Sequence, residues 1–464
     1  MRSPGRTARP PRRPARLLLH ELRALLALAG PIVASQLGHV GMSTADTIMV
    51  GPLGARPLAA VGVGSALHTF TTLVCTGVIL GMAPLVSQAY GAGDLRRCRQ
   101  VLVQGFWLAL LLSLPVMYVS LLGEELTRAL GQDRGVTVLA GGYMRALTAG
   151  IPPLFLFLVL RQYLEGMGRS KPAMVLTFGG LVLNVVANRI FIYGVPGWVP
   201  AMGVVGTGWA TTLVRWAMLA GMLGWVLTHR ELQPLRGVRV HVDRVLLATM
   251  ARVGGPVGAQ FGLEVGLFSF AAIMMGWLGP VELAAHQVTI NIAATTFMVA
   301  LGVSIAGSIR VGQHVGARRP RAIHRAAIAT YLLAVGFMAL CALAFVVAPA
   351  GLIGLYTDDP GILATGTSLL LVAAAFQVFD GAQVAGFSVL RGTADTRGPM
   401  LIAGVGYWAL GVPVAYLLAF RTALGPVGVW IGLSAGLAAV ALMLAIRVRQ
   451  RLWRGRGALG IIEA

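Results

Sequence analysis

Two acidic residues stand within otherwise apolar stretches of the chain. Glu264 lies in the run FGLEVGLFSFAAIMMGWLG, and Asp380 interrupts AAAFQVFDGAQVAGF. An ionised carboxylate in the middle of a lipid bilayer costs at least ~2.5–3.5 kcal/mol, so such residues are rare there and usually functional. Two carboxylates at one depth can share a proton or coordinate a hard cation through oxygen. We therefore predict that Glu264 and Asp380 are neutralised reversibly; the alternative is a permanently protonated or hydrogen-bonded acid in helix packing.

Polar residues in the first half of the chain are further candidates. Asp46, in STADTIMVGPLG, lies in the outer part of its apolar run, where it could bind a cation or simply face the membrane interface. Asn184 and Asn188 are one helical turn apart and could line a cavity or form hydrogen bonds between helices. Gln36 and His39, on the same run as Asp46, are additional candidates for a cavity lining.

The composition indicates whether these residues lie in a water-soluble domain or in a membrane. Of 464 residues, 57% are hydrophobic and only 11% are charged, with a mean hydropathy of +0.79. Soluble domains carry roughly 25% charged residues. The sequence therefore predicts an all-α polytopic membrane protein. Apolar runs of ~20 residues, separated by turn signals, predict twelve spans. They lie near 24–48, 58–84, 100–122, 136–160, 172–194, 203–228, 246–276, 283–309, 326–350, 362–390, 399–420 and 426–446.

The basic residues behind the net charge of +21 are concentrated on one side of the predicted spans. Most of the arginines lie in the 1–23 tail, the 229–245 linker, the 447–464 tail and alternate connections between spans. By the positive-inside rule, both termini and the linker are cytoplasmic. A nucleic-acid partner is therefore not expected, although the charge alone would permit one. Arg215, inside a predicted span, has no partner that the sequence identifies.

Depth can be estimated for the two acids from nearby arginines. Glu264 follows Arg252 by twelve residues, and Asp380 precedes Arg391 by eleven. At 1.5 Å per residue, both acids lie ~16–18 Å from the arginines that mark the cytoplasmic edge. The hydrocarbon core is ~30 Å thick, so both carboxylates are predicted near the midplane.

An internal repeat relates the two halves of the chain. At an offset of 225 residues, Gly30-Pro31 aligns with Gly255-Pro256, and Gly91-Ala92 with Gly316-Ala317. We predict two homologous six-helix bundles, residues 24–228 and 246–446, arranged as parallel repeats with a site between them. Pro31 and Pro256 each remove a helix hydrogen bond, so they are candidate hinges or simply tolerated prolines.

Several motifs together resemble the multidrug and toxic-compound extrusion (MATE) transporters, particularly the bacterial NorM-like branch. They are DTIMVGPLG, PLVSQAYGAG, KPAM followed by LNVVANRIFIYG, ELAAHQV and FQVFDGAQVAGFSVLRGTADTR. The resemblance implies two six-helix lobes around a central cavity in a bacterial inner membrane. It also implies export of amphiphilic or cationic compounds in exchange for Na⁺ or H⁺.

The resemblance also assigns roles to particular residues. Glu264 and Asp380 match the cation-coupling acids of the second lobe, and would be the metal ligands if the ion is Na⁺. Asp46 matches the acid of the first lobe. The branch commonly has a Tyr where this chain has Phe376, so one phenolic oxygen is lost from the cation site.

Two other functions are considered beside a drug exporter. A flippase of the same superfamily, for lipid-linked precursors, should line its cavity with Lys and Arg, whereas acids predominate near the midplane here. A polytopic membrane enzyme needs a nucleophile, a metal-ligand set or an acid–base constellation, none of which is evident in the sequence. We expect a non-enzymatic monomer without a cofactor, whose partners are small molecules, a monovalent cation and the lipid bilayer.

Overall fold

A computed structural model describes residues 14–229 and 241–454. Parts of three predicted segments lie outside these ranges: 1–13 of the first basic tail, 230–240 of the linker, and 455–464 of the second tail. The remainder of the first tail belongs to a helix, because the first helix begins at Pro14, ten residues before the predicted span.

The first half is a bundle of α-helices joined by short connections. The helices are α1 (Pro14–Val50), α2 (Ala55–Leu80), α3 (Met82–Gly91), α4 (Leu95–Leu121), α5 (Gly123–Ala129), α6 (Arg134–Thr148), α7 (Ile151–Gly166), α8 (Lys171–Tyr193) and α9 (Val204–Thr228). α2 and α3 form one long span, with Gly81 between them. We call this half the first lobe.

The second half, the second lobe, follows the same order. Its helices are α10 (Arg244–Leu278), α11 (Pro280–Gly316), α12 (Pro320–Val347), α13 (Pro349–Gly354), α14 (Pro360–Gly392), α15 (Arg397–Ala403), α16 (Val412–Phe420) and α17 (Gly425–Arg449). A π-helical turn, Gly404–Gly411, joins α15 to α16, and a second one, Gln450–Arg454, follows α17.

The predicted all-α fold with twelve spans is confirmed. In the described ranges, eleven helices are long and apolar enough to cross a membrane, and α6 with α7 forms the twelfth. That span is bent by 49° between Thr148 and Ile151, a feature that the apolar run 136–160 does not show. Pro152 and Pro153 open α7 and lack the N–H groups that a continuous helix would use. The corresponding span of the second lobe, α14, has no such prolines and is unbroken.

Pairs of helices related by the repeat join the two lobes. α1 packs on α11, and α10 packs on α2. The contacts correspond residue by residue at the offset of 225. A Cβ on Gly77 would lie 2.6 Å from the Cα of Gly258, and a Cβ on Gly302 would lie 2.9 Å from the Cα of Val33. Small residues therefore let these helix backbones approach closely across the interface.

The lobes are also in contact where α3 of the first lobe crosses the end of α11 of the second lobe. A Cβ on Gly91 would collide with the carbonyl oxygen of Gln313, and a Cβ on Gly316 would collide with that of Gln88. The side chains of these two glutamines form equivalent hydrogen bonds between the lobes. Gln88 Nε2 donates to the carbonyl oxygen of Gly392 at 2.9 Å, and Gln313 Nε2 donates to that of Gly166 at 3.1 Å. We call this contact the glycine crossing.

The glycine crossing lies at one end of the helices. The connections that leave α3 and α11 there and the first turns of the helices that follow, α4 and α12, carry arginines of both lobes: Arg96, Arg97, Arg99, Arg318, Arg319 and Arg321. We call this the arginine-rich end. The positive-inside rule predicts that this end faces the cytoplasm, so the lobes would be in contact on that side.

An ion-pair cluster reinforces this contact. Glu21 of α1 accepts two hydrogen bonds from Arg310 of α11, at 2.8 Å from Nε and 3.0 Å from Nη2. His314 Nε2 lies 3.2 Å from the same carboxylate. The pair is bidentate and Glu21 is buried, so it is stronger than a solvent-exposed surface pair.

We expect Glu21→Gln to weaken the contact at the arginine-rich end. Losing charge-assisted hydrogen bonds at a largely buried site should cost about 2 kcal/mol, which shifts an equilibrium about thirtyfold. Spin labels on cysteines at Arg96 and Arg321, which are exposed and related by the repeat, would report the separation by electron double resonance.

The matched control is Glu124→Gln. Glu124 pairs with the exposed Arg128 and Arg145 within the first lobe, where such pairs contribute little. We expect this control to leave the distance distribution unchanged. Equal distributions in Glu21→Gln and in the unsubstituted chain would contradict a stabilising role for the cluster.

Candidate functional site

Asp46 lies at the centre of a polar cluster inside the first lobe. Its Oδ1 accepts hydrogen bonds from Asn184 Nδ2 at 3.0 Å and from Asn188 Nδ2 at 2.6 Å. Thr211 Oγ1 donates to its Oδ2 at 3.4 Å. The two asparagines meet Asp46 together because they are one turn apart on α8, which packs on α1. Asp46 is therefore held by neutral donors from two neighbouring helices.

A cavity of about 200 Å³ adjoins this cluster. We call it the first-lobe cavity. Asp46 and Asn184 line it, as do His39 and Arg215, and apolar residues such as Phe157 complete the wall. Acidic, basic and aromatic groups therefore surround one concave space within a single lobe.

Arg215 has a partner that the sequence did not identify. Its Nη2 lies 3.3 Å from His68 Nε2, and His68 Nδ1 lies 3.2 Å from Ser120 Oγ. Arg215 and His68 are far apart in sequence and come from α9 and α2. The chain Arg215–His68–Ser120 thus links three helices, and its first two members line the first-lobe cavity.

Gln36 lies outside the first-lobe cavity lining and contacts a buried ion pair. Its Oε1 accepts a hydrogen bond from Arg161 Nη2 at 3.1 Å. Arg161 also donates through Nε to Glu165 Oε1 at 2.6 Å, and both charged side chains are almost completely buried. Gln36 therefore ties α1 to α7, which is a packing role in this structure.

Asp380 anchors a second polar chain, in the second lobe. Gln383 Nε2 donates to Asp380 Oδ1 at 3.1 Å, and the hydroxyl of Tyr407 donates to Gln383 Oε1 at 2.8 Å. All three residues are buried. Tyr407 lies in the π-helical turn Gly404–Gly411, whose extra residue per turn changes the direction of its side chain. Such turns are frequent at functional sites.

Of the three predicted acids, Glu264 has the fewest hydrogen-bond partners. It lies on α10, which contacts the π-helical turn, and it is only partly buried. None of the described residues makes a hydrogen bond with its carboxylate. Phe268, one turn after Glu264 on α10, lies 6.0 Å from Phe376, one turn before Asp380 on α14, so the structure brings the two predicted acids to neighbouring turns of facing helices.

Arg391, used above to mark the cytoplasmic edge, is itself buried. Its guanidinium lies 5.9 Å from the centre of the Phe261 ring. Phe261 is three residues before Glu264, on the same face of α10. A positively charged side chain thus lies between the two carboxylates and the arginine-rich end.

Phe376, one turn before Asp380, is part of an aromatic cluster. Its ring lies 6.0 Å from that of Phe268 and 5.6 Å from that of Trp430, both in edge-to-face arrangements. Phe376 is buried, and Trp430 is completely buried. Phe376 therefore supplies packing beside Asp380 and no oxygen ligand.

The structure groups the predicted residues into two sites, one in each lobe. Asp46, Asn184, Asn188 and His39 come together in the first, and Glu264 and Asp380 come together in the second. α1 and α10 run through the hinge candidates Pro31 and Pro256 as single helices, so a hinge there stays a prediction.

Sequence reasoning missed several members of these sites. Gln383 could have been found, because it lies three residues after Asp380 on one helix. His68, Thr211 and Tyr407 gave no such signal, since each reaches its partner from a different helix.

A transition-metal site is not part of either cluster. In residues 14–229 and 241–454, no three His, Cys, Asp or Glu side chains are placed to hold a metal ion. A hard monovalent cation at Glu264 and Asp380 would need further oxygens from amides, backbone carbonyls and water.

Comparisons with known proteins give the family. The sequence profile described as MatE matches residues 31–190 and 256–417, once in each lobe. A protein named "Probable multidrug resistance protein NorM" from Mesorhizobium japonicum is 37% identical over 449 residues, covering 95% of this chain and 96% of that protein. "Multidrug resistance protein MdtK" from Yersinia pestis is 36% identical over 439 residues, covering 92% and 95%.

A solved structure shares the fold. It is titled "Outward-facing conformation of a multidrug resistance MATE family transporter of the MOP superfamily". Its TM-score is 0.86 at 23% sequence identity, and the match covers 96% of this chain and 98% of that one. Since the profile matches most of both lobes and relatives align over nearly the whole length, the chain belongs to the MatE family of membrane transporters.

Proposed function

We propose that this protein is a secondary active multidrug exporter. It carries lipophilic organic cations out of the cell in exchange for Na⁺ or H⁺. The observation that carries the proposal is the approach of α10 and α14 within the membrane-spanning part of the second lobe, which brings Glu264 and Asp380 to neighbouring turns. The names of the relatives, which denote multidrug resistance, agree with this function.

The preference for cations follows from charge. Asp46 in one lobe and Glu264 with Asp380 in the other attract a positively charged substrate. Aromatic rings such as Phe268 beside the second-lobe site suit an organic cation with an apolar body. An anionic lipid pyrophosphate would be repelled by the same carboxylates.

Exchange follows if the coupling cation and the substrate compete for the carboxylates. Binding of one lowers the affinity for the other, and this reciprocal coupling is a free energy between the two ligands. The lobes would rock against one another so that the site opens to either side in turn. The glycine crossing holds the lobes together at the arginine-rich end, so it would separate when the site opens to that side.

Both Na⁺ and H⁺ remain in the proposal. A proton requires one carboxylate oxygen. Na⁺ would use Glu264 and Asp380 with water and backbone carbonyls, since Phe376 provides no oxygen. We place the protein as a monomer in the bacterial inner membrane, with both termini in the cytoplasm and the lipid bilayer as its surroundings.

Transport in proteoliposomes tests this function. Ethidium flux would be followed by fluorescence while a Na⁺ gradient or a pH gradient is imposed separately. We expect at least one of the two gradients to drive ethidium against its own concentration gradient, and collapse of that gradient by an ionophore to stop it. Ethidium flux that is unchanged by either gradient, or export restricted to anionic compounds, would contradict the proposal.

A further inference from the structure

The side chain of Arg391 points into the second lobe rather than towards water. Arg391 lies in the last turn of α14 and directly precedes Gly392 of the glycine crossing, yet it is buried. Arginines near the ends of membrane-spanning helices usually extend to the membrane surface, where the guanidinium is hydrated. This guanidinium instead lies 5.9 Å from the ring centre of Phe261 on α10. Side chains on a helix lean towards its N-terminus, so the charge of Arg391 is directed along α14 towards the two carboxylates.

The guanidinium of Arg391 and the carboxylate of Glu264 have no direct partner in residues 14–229 and 241–454. The guanidinium contacts the Phe261 ring and forms no ion pair within 4.0 Å there. Phe261 and Glu264 are three residues apart on one face of α10, so the two opposite charges lie along the same short stretch of that helix. An unpaired charge in a site of low dielectric constant is unfavourable, and opposite charges attract strongly there.

Arg391 can reach Glu264 without any movement of the helices. Three residues of α10 correspond to ~4.5 Å along the helix axis. The arginine side chain is long and rotates about several bonds, so a change of rotamer can carry the guanidinium across this distance. Both positions suit a guanidinium, because it stacks on aromatic faces and binds carboxylates through paired hydrogen bonds. The Phe261 ring and the Glu264 carboxylate are therefore two alternative contacts for one positive charge.

Comparison with the first lobe shows that this arrangement is particular to the second. At an offset of 226 residues, Arg391 aligns with Glu165, and Phe387 aligns with Arg161. In the first lobe the equivalent residues form an ion pair within one helix, in which Arg161 Nε donates to Glu165 Oε1 at 2.6 Å. In the second lobe the partner position is the apolar Phe387. Arg391 therefore has no counter-ion at this position of its own helix, and the nearest unpaired carboxylate along Phe261 is on α10.

We propose that Arg391 is a built-in cation that competes with the substrate and with the coupling cation for Glu264. The guanidinium lies over Phe261, as in this structure, while a cation occupies the carboxylate, and it pairs with Glu264 as that cation leaves. Arg391 thereby weakens cation binding and speeds release, because the carboxylate exchanges one positive partner for another. This inference deepens the proposed export function and rests on it.

Binding of ethidium tests the competition. The dissociation constant would be measured by fluorescence anisotropy with the purified full-length protein at fixed pH and ionic strength. The unsubstituted chain would be compared with Arg391→Gln and Arg391→Lys. The control is Arg397→Gln, which makes the same change in net charge at an exposed position at the start of α15 in the same lobe.

We expect Arg391→Gln to bind ethidium about tenfold more tightly, because the competing charge is removed. Arg391→Lys keeps the charge and should stay close to the unsubstituted chain, and Arg397→Gln should not change the affinity. In proteoliposomes, Arg391→Gln should lower both the apparent KM and the maximal rate of ethidium transport, the pattern expected when release becomes slower. Damage to packing would weaken binding, so the direction of the change distinguishes competition from a structural role.

Phe261→Leu provides a second test that does not require Arg391→Gln to fold. This substitution removes the aromatic face and leaves an apolar side chain, so the guanidinium should spend more time on Glu264. We expect ethidium to bind about threefold more weakly to Phe261→Leu, whereas Phe261→Tyr keeps the aromatic face and should retain the original affinity.

Two results would overturn the inference. One is unchanged or weaker ethidium binding by a folded Arg391→Gln, and the other is unchanged or tighter binding by Phe261→Leu. Glu264→Gln separates this failure from a failure of the proposed function. Loss of ethidium affinity in Glu264→Gln together with no gain in Arg391→Gln would leave the function standing and reject only the competition. Full affinity in Glu264→Gln would count against the proposed site, and the role of Arg391 would be rejected with it.

Discussion

Glu264→Gln combined with Asp380→Asn should abolish gradient-driven efflux while leaving the protein folded. The substitutions keep side-chain size and remove both charges that the coupling cation and the substrate would share. Coupling between two ligands is typically a matter of 5- to 150-fold in affinity, so we expect accumulation driven by either gradient to fall by about a hundredfold. The measurement is ethidium flux in proteoliposomes under each gradient.

The matched control removes two acids from the connections opposite the arginine-rich end. Glu125→Gln with Asp358→Asn makes the same change in net charge at exposed positions of the two lobes. This control should transport normally, because exposed charges far from the site contribute little. Full transport by the Glu264→Gln/Asp380→Asn variant under either gradient would refute the proposed coupling.

Gly316→Leu should prevent the two lobes from closing at the arginine-rich end. A Cβ at this position would collide with the backbone carbonyl oxygen of Gln88, which cannot move aside as a flexible side chain could. Overpacking of this kind costs ~3 kcal/mol or more, enough to shift the closed state by roughly a hundredfold. The collision is between lobes, so each lobe can still fold. We expect loss of transport together with a longer distance between spin labels at Arg96 and Arg321.

Gly91→Leu is a second variant for the same experiment, because the repeat relates Gly91 to Gly316. Its Cβ would meet the carbonyl oxygen of Gln313 in the equivalent contact, so both variants should show the same opening. Gly336→Leu is the control, since Gly336 is an exposed helical residue of α12 with no neighbouring atom within 4 Å of its Cβ position. Normal transport and an unchanged label distance in Gly316→Leu would show that the glycine crossing need not form.

The sequence alone determined the fold class, because its apolar composition requires a lipid bilayer as the surrounding solvent. A bilayer offers no hydrogen-bond partners to the backbone, so long apolar runs must be helices. Their number could be read from the sequence, as could the repeat. The offset of 225 that aligns Gly91 with Gly316 is the same offset that relates the two contacts of the glycine crossing.

Part of each site could also be anticipated from local spacing. Asn184 and Asn188 had to share a helix face, and intramembrane acids had to be few. The asparagines meet Asp46 because of how α1 packs on α8, and Glu264 comes near Asp380 because of how α10 approaches α14. Spacing along one helix contains no information about the rotation of its neighbour.

Only the tertiary structure assigned the remaining partners. Arg215 meets His68 from another helix, and Tyr407 reaches Gln383 because a π-helical turn alters the direction of its side chain. The apolar pattern of Gly404–Gly411 is equally compatible with a regular α-helix, so the turn could not be read from it. Hydrophobic periodicity reports which residues avoid water, whereas partners within a bundle are set by interhelical rotation and by single-residue changes in helical winding.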